Sequence, residues 1–140
     1  MTTRKAIADA LDTRVEHATL GLNITCIKAF PGWDRGDLSL PIATILWEAD
    51  EVTTRSRTGQ RMSPMQETVF TLTIMAANEI SLWSLVDAAF TMVENWQSPT
   101  IGGVRMSIAA SRAERTLPPD DGTEDLRYSA QMSISFLYAR

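Results

Sequence analysis

The sequence predicts an α+β domain: a mixed, mainly antiparallel β-sheet with two helices packed on one face, in the order α-β-β-β-α-β-β. Two stretches have the apolar spacing of amphipathic helices, and five others have the alternation or the β-branched content of strands. The last strand has one apolar and one hydrophilic face. A sheet of this kind needs a layer of helices on one side only.

The first helix is predicted over residues 3 to 18. Its apolar residues recur at spacings of four, four and three, which places on one face Ile7, Leu11, Val15 and Ala18. Gly21 lies where a helix commonly ends. Residues 22 to 29 are rich in β-branched side chains and predict the first strand.

The second and third strands are predicted over residues 42 to 52 and 66 to 77. A loop with two prolines and two glycines precedes the second strand. In the third strand, a face that carries Phe70 alternates with one that carries Thr71. The connection between the two strands, TTRSRTGQRMSPM (53 to 65), contains three arginines and no acidic residue, in a chain of net charge -4.

The period then changes to that of a helix over residues 79 to 96, with Asn78 as its N-cap. Strands follow over residues 104 to 112 and 126 to 138. The acidic segment AERTLPPDDGTED joins them. Both this connection and the basic one exceed the usual hairpin loop of two to five residues, so we predict two long hairpin arms.

Composition and length fit a single domain that spans residues 1 to 140. The one cysteine, Cys26, excludes an intrachain disulfide and a multi-cysteine zinc site. No apolar run approaches the roughly 20 residues that cross a bilayer, and the N-terminus lacks the apolar core of a signal peptide. A pI near 4.9 argues against general nucleic-acid binding. We therefore expect a soluble protein that is intracellular during synthesis.

The sequence contains no recognisable catalytic constellation. The single histidine, His17, lies near the end of the first helix, and Cys26 shares its strand face with apolar residues, so both are interpreted as structural. Acidic turn residues such as Asp34 and Asp37 match no calcium-loop pattern. We predict no enzymatic activity, no metal and no cofactor.

The four tryptophans carry more information. Trp47 and Trp96 are interpreted as covering the edge of the core. Trp33 lies in a loop and Trp83 lies off the apolar stripe of the second helix, so both are candidates for a subunit interface, where aromatic residues are enriched. A place at the core edge remains open for these two as well.

The order and lengths of the elements resemble those of the tail terminator (tail completion) proteins of long-tailed phages, over nearly the whole chain. Three features carry the likeness. They are Leu40-Pro41 before the second strand, TVFTLTIMAAN running into EISLWSLVDAAFTMVENW, and the closing strand YSAQMSISFLYAR.

This resemblance implies a structural virion protein. Such proteins form a homo-oligomeric ring, typically hexameric, which caps the tail tube, stops its polymerisation and provides the surface for head joining. The resemblance implies a tail tube protein and a head–tail connector protein as partners, no membrane, and a place in the tail neck after assembly in the host cytoplasm.

In such a ring the basic segment has two interpretations. Arg55, Arg57 and Arg61 form a collar that faces an acidic partner surface or the DNA passing through the lumen, or they only keep an exposed hairpin from aggregating. The acidic arm is a candidate for charge pairing with a neighbouring subunit. Its carboxylates are Asp120, Asp121, Glu124 and Asp125.

Other functions remain open. One is another head–tail connector or neck component. A second is a dimeric ferredoxin-like module that binds a small ligand or RNA, although the hydrophilic face of the last strand offers no aromatic residue on which bases stack. The third is a small enzyme, which a deep pocket lined by several carboxylates would favour.

Overall fold

The computed structural model describes residues 3–28, 40–53, 56–57, 60–61, 65–115 and 128–139. Two helices and eight strands lie within these ranges. They are α1 (Thr3–Glu16), β1 (Thr25–Ile27), β2 (Ile42–Thr53), β3 (Ser56–Arg57), β4 (Gln60–Arg61), β5 (Met65–Met75), α2 (Glu79–Glu94), β6 (Thr100–Ile101), β7 (Val104–Arg115) and β8 (Ser129–Ala139).

Six of the strands form one sheet in the order β1-β2-β5-β8-β7-β6, and β3 and β4 form a separate hairpin. In the six-stranded sheet β1 and β2 are parallel and the other neighbours are antiparallel. The predicted α+β class is therefore confirmed. The ladder between β2 and β5 continues to the pair Thr53 and Met65, so these two strands run together to the base of the basic segment.

Both helices pack on one face of the sheet, as the sequence predicts. The helices contribute to the core Ile7, Leu11, Val15, Leu82, Ala89, Met92 and Val93. At its centre the fully buried Phe136 meets Phe70 and Trp96 edge-on, with ring centroids 6.2 Å and 5.9 Å apart. Burial of a side chain of this size contributes about 1.5–3 kcal/mol. Neither helix in the described part of the chain is both long enough and apolar enough to cross a membrane.

The ends of the helices follow from local sequence. The side chain of Asn78 accepts a hydrogen bond from the backbone N–H of Ser81 at 2.9 Å, which confirms it as the N-cap of α2. After α1 the chain turns back sharply at Gly21. A β-carbon at this position would lie 1.7 Å from the carbonyl oxygen of Arg14, so only glycine permits the close approach.

Several element boundaries differ from the predicted ones. β1 has three residues rather than eight, and β7 extends to Arg115. The helix α1 ends at Glu16, so Ala18 lies beyond it and is exposed, contrary to its predicted place on the apolar face. The short strands β3, β4 and β6 were not predicted, because two residues are too few to show alternation. β6 joins β7 through Gly102 and Gly103, whose φ angles of 59° and 81° suit a tight two-residue hairpin.

The sheet face away from the helices is polar at its centre. The bulge in β2 places Glu48 there, and its Oε2 accepts hydrogen bonds from Thr71 Oγ1 at 2.8 Å and Ser133 Oγ at 3.0 Å. The backbone N–H of Ser133 donates to Ser111 Oγ beside the bulge in β7. A row of polar groups thus crosses four strands, in agreement with the hydrophilic face predicted for the last strand.

Candidate assembly interface

The two edges of the six-stranded sheet are built differently. β1 forms one edge and is only three residues long. The backbone N–H of Cys26, in the middle of β1, donates to the carboxylate of Glu16 at the end of α1, at 3.2 Å. Shortness and side-chain capping are two ways in which proteins prevent an edge strand from pairing with another chain. The strand β1 itself is therefore closed, although it covers only the first three residues of β2, Ile42 to Thr44.

The opposite edge of the sheet is formed by β7 and the two-residue strand β6. β6 pairs only with the first two residues of β7, and the N–H of Met106 then donates to the carbonyl of Pro99 on this outer side. Outward and inward groups alternate along an antiparallel strand. The backbone N–H and C=O groups of Ile108 and Ala110 therefore point outward as well, and no strand in the described ranges pairs with them. Among the described strands, the β7 edge is therefore open.

A groove lies between α2 and the open β7 edge. Its first part has a volume of about 270 Å³, and the residues that line it are Glu79, Leu82, Trp83, Val86, Asp87, Ala113, Glu114 and Ala130. Its second part, of about 390 Å³, is lined by residues that include Phe90, Glu94, Trp96 and the segment 107–110. We call these two parts together the α2–β7 groove.

The rim of the groove bears exposed apolar side chains. Trp83 is 61% exposed, and Ile80, one turn earlier on α2, is 71% exposed. Residues three apart lie on the same side of a helix. Large exposed apolar side chains that lie together are typical of interaction surfaces, and aromatic residues contribute most to binding at such surfaces.

The charge of the groove is acidic. The helix α2 contains Glu79, Asp87 and Glu94 and has no lysine or arginine. Asp87 and Glu94 are both exposed, and seven residues place them about 10.5 Å apart along the helix axis. Among the described residues that line the groove, none is basic.

A second exposed tryptophan lies at the opposite side of the domain. Trp47 is 46% exposed and does not join the core, contrary to the expectation that it covers the core edge. The guanidinium of Arg4 lies 4.7 Å from the centre of its ring. Arg4 also pairs with Asp50 at 2.6 Å, and the Nε1–H of Trp47 donates to Asp50 at 3.1 Å. Trp96, in contrast, packs against Phe136 as predicted.

The environment of Asp50 favours its ionised form. Burial acts to raise the pKa of this carboxyl, but hydrogen bonds from Trp47, Arg4 and Thr68 outweigh burial and hold the pKa below its ordinary value. The cluster of Trp47, Arg4 and Asp50 therefore already satisfies its own charges and ties α1 to β2.

The groups that could act in catalysis have structural surroundings. His17 Nδ1 accepts hydrogen bonds from the backbone N–H groups of Thr19 and Leu20 at 3.2 Å and 3.0 Å, so it caps the turn after α1. Burial, with the nearby carboxyls of Asp12 and Glu16, raises the pKa of the Cys26 thiol, which opposes formation of a nucleophilic thiolate. Within the residues that the structure describes, no three metal-ligating side chains gather.

The sequence-predicted site residues fall into three groups. Trp83 is exposed on the groove. Arg57 and Arg61 lie in the strands β3 and β4, where Ser56 pairs with Arg61 and Arg57 pairs with Gln60. The remaining ones lie outside the described residues: Trp33, Asp34, Asp37, Arg55, Asp120, Asp121, Glu124 and Asp125.

No protein-family model matches the chain, and no curated protein matches it. The likeness to tail terminators therefore depends on the order and lengths of the elements and on the three stretches that carry it.

Sequence patterns did not indicate the open β7 edge or its groove. Ile80 stood off the apolar stripe of α2, as Trp83 did, and the two together were the available signal for an exposed apolar patch on that helix. The neighbour of a strand depends on sheet order, which alternation within one strand does not reveal.

Proposed function

We propose that this chain is a structural subunit of a phage tail: a tail terminator that forms a ring on the end of the tail tube, stops tube polymerisation and provides the surface for head joining. The open β7 edge beside the α2–β7 groove supports this most directly. A long strand whose outward backbone groups pair with no described strand, next to an exposed tryptophan, favours a surface that another protein covers.

The asymmetry of the sheet supports a ring in particular. The two edges differ among the described strands: at one, Glu16 caps the short strand β1 and β2 runs on beyond it, whereas at the other β7 lies beside α2. A subunit with different surfaces on its two sides makes head-to-tail contacts, and such contacts close into a ring when the rotation allows it. The resemblance to tail terminators supplies the partner, which is the end of the tail tube.

The native mass of the purified protein, in low and high salt, tests this proposal. A hexamer has six times the mass of the 15.5-kDa chain, about 93 kDa. We expect a particle near this mass with a central hole in negative stain, or its formation when tube ends are added. The added protein should also halt the growth of tubes made from the purified tube protein of the same phage.

Two outcomes would contradict the proposal. A compact dimer with no further assembly on tubes would favour the ferredoxin-like module, because an open edge strand also pairs with its own copy around a two-fold axis. A protein that assembles on the head-side connector and leaves tube growth unchanged would favour another neck component.

A further inference from the structure

We propose that the α2–β7 groove receives the basic arm, residues 53 to 65, of a second copy of this chain, and that the arm adds a strand to the open β7 edge. This inference rests on the proposed ring function and names the contact that builds the ring. The groove belongs to one subunit and the arm to its neighbour.

The backbone of the edge requires an extended partner. The outward N–H and C=O groups of Ile108 and Ala110 are satisfied fully by another strand, as in the recognition of peptides by strand addition. The described residues of the arm have this character, since the β2–β5 ladder reaches its base at Thr53 and Met65 and a further two-stranded ladder, β3–β4, lies within it.

Charge selects the arm over the other long hairpin connection, the one between β7 and β8. The exposed carboxylates of Asp87 and Glu94 border the groove, and the arm carries Arg55, Arg57 and Arg61 with no acidic residue. The connection between β7 and β8 contains four acidic residues and a single arginine over residues 116 to 127, so the groove repels it. Complementary charge fixes the choice of partner and the register of the contact.

Trp83 supplies a second reason for an arginine-bearing partner. In this molecule Arg4 lies over Trp47 at 4.7 Å and Arg14 lies over Trp96 at 5.4 Å. Among the described contacts no guanidinium lies over Trp83, although its ring is the most exposed of these three. An arginine of an incoming arm completes the same cation–π arrangement.

The arm and the groove lie on different parts of one subunit. The arm leaves the sheet between β2 and β5, whereas the groove follows β7, beyond β8. Contact between the arm of one copy and the groove of another is therefore head-to-tail, which is the geometry that closes a ring.

Two charge-reversed variants test this contact. The arm variant carries Arg55→Glu, Arg57→Glu and Arg61→Glu, and the groove variant carries Asp87→Arg and Glu94→Arg. Each variant alone places like charges together, and we expect its assembly to weaken roughly tenfold or more per reversed pair. In a one-to-one mixture each arm meets a groove of opposite charge, so rings of alternating subunits should form again.

A second pair of variants tests the added strand. Ala110→Pro removes an outward N–H of β7 without removing a bond to β8, and proline is tolerated at edges and bulges. Its control, Ala110→Val, keeps the N–H. We expect Ala110→Pro to lose ring assembly while its unfolding midpoint stays close to that of Ala110→Val, which assembles.

The outcomes are distinct. If the wild type forms rings and both charge variants do so equally well, the arm–groove contact is wrong while the proposed function stands. If the charge variants assemble but the arm variant loses binding to a DNA duplex, the arm contacts DNA and the inference is overturned. If the wild type forms no ring, alone or on tube ends, both the inference and the proposed function fail.

Discussion

The backbone N–H of Cys26 donates to the carboxylate of Glu16, so the last residue of α1 closes the edge strand that begins nine residues later. The same sheet leaves β7 open at its other edge. Because edge strands invite pairing with other chains, the capped β1 disfavours pairing at this strand and leaves it to strands such as β7 that have no described neighbour on their outer side.

Replacement of Glu16 by Ala should loosen the β1 edge. The variant leaves the N–H of Cys26 without its acceptor, which costs about 1 kcal/mol of unfolding free energy. Amide hydrogen exchange at Cys26 should become faster. Glu16→Gln is the matched control, since its side-chain oxygen still accepts the bond, and it should stay close to the wild type. Equal exchange in all three proteins would mean that Glu16 does not protect the strand.

Gly21→Ala should destabilise the protein strongly. The added methyl group would lie 1.7 Å from the carbonyl oxygen of Arg14, which is a backbone atom and cannot rotate away. The turn that lets Leu22 and Asn23 bond to the carbonyl of Val15 must then open. We expect a loss of about 2–4 kcal/mol in chemical unfolding. Ala18→Gly, at an exposed position in the turn after α1, is the control and should cost less than about 1 kcal/mol. A small effect of Gly21→Ala would show that the turn relaxes.

Local pattern was sufficient to predict most of the fold. Alternation in β8 correctly placed Met132, Ile134 and Phe136 in the core, since strand periodicity and burial on one face agree there. It failed for β1, where β-branched residues predicted eight residues of strand and three are formed. Propensity describes a preference of side chains, whereas strand length depends on the neighbour that is available for pairing.

The candidate interface was predicted only in part. Trp83 was identified because it lay off the apolar stripe of α2, and the structure places it at the rim of the groove. The groove itself is formed by α2 and β7, and whether these two elements lie side by side depends on sheet order, which no local pattern carries. The roles of Arg55, Arg57 and Arg61 stay predictions.

Tyr138→Phe tests a buried polar pair that joins two central strands. The hydroxyls of Tyr138 and Thr68 lie 3.0 Å apart, and Thr68 is fully buried. Loss of one partner leaves a buried hydroxyl less well satisfied, so we expect a loss of about 1–2 kcal/mol in unfolding free energy. Thr68→Val removes the other partner. The double variant should lose less than the sum of the two single losses, and strict additivity would mean that the hydroxyls do not interact.

The pairing of Asp50 should make stability depend on pH. Its pKa is lower in the folded protein than in the unfolded chain, so its stabilisation is present above the unfolded value of about 3.9 and is lost as the pH falls through the folded value. At pH 7 we expect Asp50→Asn to be less stable than the wild type by only about 1 kcal/mol. The loss is small because solvent screens the ion pair with Arg4, which is largely exposed. The difference should shrink below the ordinary aspartate range.

Arg4→Gln is the control for this pH effect. Without the guanidinium, fewer hydrogen bonds lower the pKa of Asp50 against the opposite effect of burial. The pH-dependent part of the stability change caused by Asp50→Asn should therefore become smaller. Unfolding titrations at several pH values measure it. An unchanged pH dependence in the Arg4→Gln background would assign the shift to Trp47 and Thr68 instead.

Trp83→Ser should separate assembly from stability. The side chain of Trp83 is 61% exposed in the single subunit, so its removal should change the unfolding midpoint little, whereas a covered aromatic residue at an interface contributes about 2 kcal/mol or more. We therefore expect a loss of about thirtyfold or more in assembly affinity, measured from the concentration dependence of native mass. Leu20→Ser is the matched control: Leu20 is 50% exposed, away from the groove, and its loss should affect neither property. If both variants assembled equally well, Trp83 would not be covered in the assembly, and the groove would lose its role as the subunit contact.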